Sequence, residues 1–351
     1  MAPVGSRESL AAAFQAGADS VYFGIGTLNM RSKSANEFTI DDLKEIASLC
    51  AERGVKSYLT VNTVIYDEDL PLMRQIVDAA KEAKISAVIA SDAAVMMYCK
   101  QKGVEVHLST QLNISNVEAL KFYSQFADVV VLARELNLRQ VKRIYDEIQQ
   151  QRITGPKGDL IRIEMFCHGA LCMAVSGKCY LSLNNAGKSA NRGACMQTCR
   201  RAYIVKDKER DVELEIDNQY IMSPKDLKTI GFMDQMIKAG VRVFKIEGRA
   251  RGPEYVRTVV EAYDQAIRQA LTGEWNEEIS KASITRYIMN WYLLITGPTT
   301  GAVYATLDNP YVDEKPVERV LKGEHVTFKL KEKIRENDKL YILKSVVNEE
   351  L

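Results

Sequence analysis

SAVIASDAAVMMYCKQKGVEVHL, residues 86–108, is the stretch that decides the fold. It opens on a short apolar run, Ala87–Ala90, continues as a helical stretch, and closes on a second run at Val106–Leu108. Gly103 sits just past the helical part, where a residue with positive φ ends a helix and returns the chain to extended backbone. The same unit recurs in both directions. Further β-rich runs stand at Ala2–Val4, Val21–Ile25, Ser57–Val61, Val129–Leu132, Ile161–Phe166 and Val241–Ile246, with helical patterns between them at Ile40–Glu52, Leu70–Ala83 and Leu138–Gln149. Gly17, Gly54 and Gly240 take the place that Gly103 holds here. Eight strand-plus-helix units predict an α/β fold, a parallel (β/α)8 TIM-like barrel. An open doubly wound sheet is the alternative, but no G-x-G-x-x-G follows the first run, and GIG at Gly24–Gly26 is too short a signal.

The chain has 351 residues, 46% of them hydrophobic, and a formal net charge of +1. That is enough apolar material for one large domain and a small one. Residues 1–273 are expected to form the barrel, including a cysteine-rich loop at 167–222. Residues 274–351 are expected to form a small β-rich domain, with strands at Val303–Thr306, Val326–Leu330 and Leu340–Val346. No apolar run is long enough for a membrane span, and the first residues lack a signal-peptide pattern. Together with an odd cysteine count, seven, this predicts a cytoplasmic protein without a disulfide scaffold. The near-zero net charge leaves any polyanion to be met by a local patch.

That patch and the cysteines coincide. The connection after the seventh strand, Gly169 to Met222, is far longer than compact domains usually allow without a functional reason. Cys167, Cys172, Cys179, Cys195 and Cys199 lie in or beside it, and no acidic residue occurs from Met165 to Lys206. Lys178, Lys188, Arg192, Arg200, Arg201 and Lys206 fall in the same span. A hairpin of Tyr203–Val205 with Leu214–Ile216 is expected inside it, and SPKDL at Ser223–Leu227 predicts a helix starting near Pro224. Cys172, Cys179, Cys195 and Cys199 are separated by 6, 15 and 3 residues. This spacing matches neither a zinc ribbon nor the ferredoxin run, but a thiolate set on one folded loop suits an iron–sulfur cluster or structural zinc. Tyr180, Asn184, Asn185, Asn191 and Gln197 add stacking and hydrogen-bonding groups suited to RNA. Solvated surface charge is the plainer account of the basic residues.

Barrel chemistry belongs at the C-terminal ends of strands. Those ends carry Asn62, then His107, Ser109, Thr110 and Gln111, then Arg134 and Glu135, Glu164 and His168, and finally Lys245, Glu247 and Arg249. Strict alternation would put Glu164, Phe166 and His168 on one face, a conceivable carboxylate–imidazole ligand pair. Neither H-E-x-x-H nor G-x-S-x-G occurs, and adjacent Cys167 and His168 make a poor nucleophile–base dyad.

EMFCHGALCMAVSGKCYLS, Glu164–Ser182, resembles the signature of the collagenase-like peptidase U-32 family. Ala2–Ser6 (APVGS), Ala16–Gly24 (AGADSVYFG), Ser189–Cys195 (SANRGAC), Ser223–Leu227 and Lys245–Arg249 (KIEGR) extend the resemblance over most of residues 1–270. It departs at Ala282–Ile295, where an Asn-Arg-Gly segment is usual, leaving residues 280–298 atypical. The resemblance implies two kinds of activity. One is oxygen-independent hydroxylation of the tRNA wobble uridine, the branch that SANRGACMQTCRR resembles most; the other is metal-dependent collagenase-like proteolysis of collagen or gelatin. The first implies a four-iron four-sulfur cluster on Cys172, Cys179, Cys195 and Cys199, with Cys167 outside the set. It also implies prephenate as co-substrate, tRNA as partner and a paralogous family member as a candidate second partner. Arg192, Arg200, Arg201 and Lys188 would then meet RNA, and Glu164, His168, Lys245, Glu247 and Arg249 would line the catalytic pocket. The peptidase reading would use a divalent metal with Glu164 and His168. A zinc-stabilised RNA-binding protein without chemistry of its own is the third reading.

Overall fold

The structure is a computed structural model that describes residues 1–33, 38–200, 204–206, 209, 213–215 and 226–274. The chain divides into two compact units, Met1–Glu277 and Glu278–Leu351. The strands expected in residues 274–351, and the atypical segment 280–298, lie outside the described residues.

The first unit is a (β/α)8 TIM-like barrel. Strands β1 (Ala2–Pro3), β2 (Ser20–Gly24), β3 (Lys56–Val61), β4 (Ala87–Ala90), β5 (Val106–Leu108), β6 (Val129–Val131) and β7 (Arg162–Gly169) pair in parallel in chain order. Helices α1 (Arg7–Gln15), α2 (Leu43–Glu52), α3 (Leu70–Glu82), α4 (Ala93–Lys102), α5 (Val117–Ser124) and α6 (Leu138–Gln150) alternate with them. Between β7 and its helix α8 (Met233–Lys238) lies the long insertion. It contains α7 (Leu181–Ala186), the antiparallel pair β8 (Ile204–Lys206) and β9 (Glu213–Glu215), and β10 (Leu227–Lys228). Strand β11 (Val241–Ile246) pairs in parallel with β7, and α9 (Pro253–Thr272) completes the eighth unit. Closure runs through Met1. Its ammonium donates to Phe244 O at 2.8 Å, and its carbonyl accepts from Ile246 N at 3.2 Å.

The local signals behind these elements are ordinary ones. Ser6 and Asp92 cap α1 and α4 through their side chains, and Asn137 with Gln140 forms a capping box on α6. The strands are buried along nearly their whole length because helices cover one face and the barrel interior the other. The helix layer meets them through apolar stripes such as Met73, Ile76, Val77 and Ala80 on α3.

Of two expectations around the insertion, one is corrected. The expected hairpin is present, with Ile204–Lys206 paired antiparallel to Glu213–Glu215. The helix expected near Pro224 starts later: Leu227 and Lys228 are strand, and α8 begins only at Met233. β7 is eight residues long against three in β6. Its end therefore presents backbone groups that β10 pairs with, antiparallel, at Gly169 and His168.

β7 also carries a bulge. Lys245 pairs with Phe166 and Ile246 with His168, so Cys167 is an extra residue on β7. The bulge breaks the alternation on which the shared face of Glu164 and His168 depended. His168 is sent into the helix layer, where its ring centroid lies 5.5 Å from that of Tyr263 and 6.0 Å from that of Tyr255, both on α9. Its Nδ1 is 3.3 Å from Tyr263 Oη, which in turn donates to Cys167 O at 2.7 Å. Burial, aided by nearby Lys228 and Arg251, lowers the His168 pKa from 6.5 to about 4. The folded state thus favours neutral imidazole. Its contribution to stability is complete above pH 6.5 and is lost as pH falls toward 4, at up to about 1.4 kcal/mol per pH unit. Urea denaturation of wild type and His168→Gln at pH 7, 6, 5 and 4 should therefore show the wild-type advantage shrinking steadily. A constant difference would mean that His168 titrates alike in both states.

Candidate active site

The C-terminal mouth of the barrel opens into a cavity of about 390 Å³. β11 and the residues after it supply its floor. Lys245 Nζ lies 2.8 Å from Glu164 Oε1 across the β7–β11 pair, and the two side chains are 7% and 0% exposed. The Lys245 ammonium also sits 4.8 Å from the Tyr22 ring centroid and 5.6 Å from that of Phe166. Glu164 Oε2 is buried without a hydrogen-bond partner. Two residues past Lys245, Glu247 Oε1 pairs with Arg31 Nη2 at 2.8 Å. Burial works against the Glu247 carboxylate, but Arg31 and Arg249 outweigh it and hold its pKa below the usual range.

Arg249 is buried and lines the cavity. Its Nη1 donates to Thr60 Oγ1 at 2.9 Å and Asn29 Oδ1 at 3.2 Å. Burial lowers its pKa to about 10, with Tyr22 and Glu247 opposing, so it remains a cation at neutral pH. No carboxylate within ion-pair distance faces it among the described residues. Arg134 is similar: its Nε and Nη2 reach Ser176 Oγ at 3.1 and 2.6 Å, and its guanidinium lies 5.8 Å from the Phe166 ring centroid. Two guanidiniums without a carboxylate at ion-pair distance among the described residues therefore face one cavity, an arrangement suited to a small organic anion with two acidic groups.

The insertion forms the other wall. Cys172, Cys179, Cys195 and Cys199 all line the cavity; Cys172 is exposed and the other three are partly so. Cys167 is buried apart from them, its thiol pushed up to about 12 by burial and its Sγ 3.3 Å from Lys245 O. The insertion is pinned at both ends. On one side Arg134 and Asn113 hold Ser176, and Gly177, with φ +74°, packs so closely that an added Cβ would lie 3.2 Å from Gln111 Oε1. On the other, Arg192 pairs with Asp69, donates to Val64 O at 2.7 Å and covers the Tyr66 ring at 4.5 Å. Beside it Gly193, with φ +81°, leaves no room for a Cβ, which would lie 2.5 Å from Asn29 O.

The four thiols suit soft-metal or iron–sulfur ligation by donor chemistry, and Arg31 lies close enough to interact electrostatically with Cys195. Among the described residues no group of three or more His, Cys, Asp or Glu side chains is gathered as a metal site. The cysteines share the cavity without converging on one point.

The expected site residues thus separate. Glu164, Lys245, Glu247 and Arg249 come together at the floor; His168 stands behind the wall. His107 is buried inside the barrel with its ring centroid 4.5 Å from that of Tyr58, away from the cavity lining. Arg192 is engaged by Asp69 rather than presented for phosphates. Lys188 is exposed, the side chain of Arg200 lies outside the described residues, and so does Arg201. Sequence reading missed Arg31, Asn29, Thr60 and Tyr22. Position after β2 or near the end of β3 could have flagged the first three, but the Arg31 partner Glu247 is 216 residues away.

Replacing Glu164 by Gln keeps its shape and leaves the Lys245 ammonium buried without its counter-charge. The loss in urea denaturation should be about 3 kcal/mol or more, with Glu164→Leu/Lys245→Met recovering most of it. A loss below about 1 kcal/mol would show that the pair behaves as if solvated.

The chain matches peptidase family U32 over residues 5–293. It is 53% identical to a protein named collagenase from Porphyromonas gingivalis strain W83, covering 97% of this chain and 96% of that protein. That alignment spans 399 positions, more than the 351 residues here, so the relative contains stretches without a counterpart in this chain. It is 35% identical to tRNA hydroxylation protein P1 of Bacillus subtilis, over 81% of this chain and 68% of that one. With the 23S rRNA 5-hydroxycytidine C2501 synthase of Escherichia coli the identity is 34%, over 77% of this chain but 39% of the synthase. By the extent of these matches, the chain belongs to peptidase family U32.

Proposed function

We propose that this chain is an RNA hydroxylase that converts the wobble uridine of tRNA to 5-hydroxyuridine without molecular oxygen. The observation that carries this reading is the sharing of one cavity by four thiols and two guanidiniums that have no carboxylate partner among the described residues. A peptidase needs a nucleophile with a base, or a metal-bound water. Glu164 is taken up by Lys245, and His168 packs against Tyr255 and Tyr263 on the other side of β7. Relatives named for tRNA and rRNA hydroxylation support an RNA substrate.

In this reading Cys172, Cys179, Cys195 and Cys199 would hold a four-iron four-sulfur cluster, which would supply redox or oxygen-atom chemistry when bound. Arg249 and Arg134 receive the acidic groups of a small co-substrate, a role that prephenate, a dicarboxylate, fits. Asn29 and Thr60 fix the Arg249 guanidinium, and Ser176 fixes that of Arg134. Lys245 is paired with Glu164 and presents its side chain at the cavity floor. Arg31 pairs with the Glu247 carboxylate and so offsets the negative charge nearest the anion.

Protein purified without oxygen should contain about four irons and matching sulfide, with a broad absorbance near ~400 nm. Cys172→Ala should lose both that absorbance and 5-hydroxyuridine in tRNA. Retained modification in Cys172→Ala, or zinc in place of iron in wild type, would overturn the reading. The second reading, collagenase-like proteolysis with a divalent metal, is favoured by the 53% identical relative of that name. It predicts chelator-sensitive gelatin cleavage by the pure protein.

A further inference from the structure

The insertion exposes large apolar side chains to an unusual degree. Tyr180 is 66% exposed, Val175 and Met196 47%, Met173 46% and Leu183 44%. These make up half of the exposed large hydrophobic side chains among the described residues, within one short segment. Exposed hydrophobes scattered along a chain need no explanation, whereas five concentrated within residues 173–196 do. Local hydrogen bonds hold the segment in shape. Lys178 N donates to Val175 O at 2.9 Å, Asn184 N to Tyr180 O at 2.9 Å, and Met196 N to Ser182 Oγ at 2.9 Å.

Its polar components carry one sign. Lys178 and Lys188 are exposed and have no carboxylate partner among the described residues, and Asn184, Asn185 and Gln197 are exposed between them. No acidic residue occurs from Met165 to Lys206. An exposed aromatic ring with apolar neighbours, side-chain amides and unpaired lysines is the combination by which proteins hold single-stranded nucleic acid. Bases stack on the ring and cations follow the backbone. The face is also continuous with the mouth, because Met173, Cys172, Cys179 and Leu181 line the cavity.

We propose that this face docks a single-stranded RNA loop at the barrel mouth, with Tyr180 as the stacking platform for an unpaired base. The inference rests on the RNA reading of the preceding subsection and names the surface that would serve it.

The test measures fluorescence anisotropy of the full chain with a labelled RNA hairpin bearing an unpaired, uridine-rich loop. The same stem closed into a continuous duplex serves as comparison. Wild type should prefer the hairpin. Tyr180→Ala should weaken hairpin binding about tenfold or more, Tyr180→Phe should retain it, and Lys178→Ala/Lys188→Ala should flatten its salt dependence. All three variants should unfold at the wild-type temperature, since these side chains bury little. Hairpin binding unchanged in Tyr180→Ala, or equal affinity for hairpin and duplex, would overturn the docking surface while leaving an RNA substrate in place. No RNA binding by wild type would remove both. Binding of gelatin fragments in place of RNA, lost in Tyr180→Ala, would assign the face to a polypeptide and overturn the proposal.

Discussion

Lys245 and Glu164 face each other at 2.8 Å on adjacent strands, with almost none of either side chain in contact with water. A charge in such a place persists only if its partner is held in position, and the partner here is held by the β7–β11 pairing itself. The other edge of β11 closes the barrel, where Met1 bonds to Phe244 and Ile246. Where the chain leaves β11, Glu247 reaches back to Arg31 after β2, and Arg249 reaches Asn29 and Thr60 of the second and third units. One short segment, Lys245–Arg249, thus ties together the loops on three sides of the mouth. Loss of register between β7 and β11 would strand a buried charge and scatter the floor of the cavity at once.

The same strand explains why the insertion stands where it does. β7 runs on past its neighbours, gains an extra residue at Cys167, and hands the chain to the cysteine-rich segment at the rim. The bulge separates two kinds of chemistry that simple alternation would have merged. Glu164 and Phe166 remain inside; His168 becomes a neutral, hydrogen-bonded core residue beside Tyr263. The insertion then folds back over the mouth, pinned by Ser176 and Gly177 against the fifth and sixth units and by Arg192 and Gly193 against the second and third. Basic residues in one stretch therefore have unlike roles. Arg192 spends its charge on Asp69 to hold the insertion, while Lys178 and Lys188 keep theirs facing solvent.

Much was legible from residue order alone. The recurring unit of apolar run, helical stretch and glycine, clearest at residues 86–108, determined a parallel barrel, because strand and helix periodicities are local properties of the chain. Cysteine spacing and the absence of acids from Met165 to Lys206 marked the insertion, and the barrel rule that chemistry sits at strand ends pointed to Glu164, Lys245, Glu247 and Arg249. Only the tertiary structure decided which of these meet. Glu164 and Lys245 are 81 residues apart, and Arg31 and Glu247 are 216 apart. Their pairing follows from barrel closure, which no local pattern encodes. The fate of His168 turned on one unpaired residue in a strand, and a bulge is set by the register between two distant segments rather than by either one.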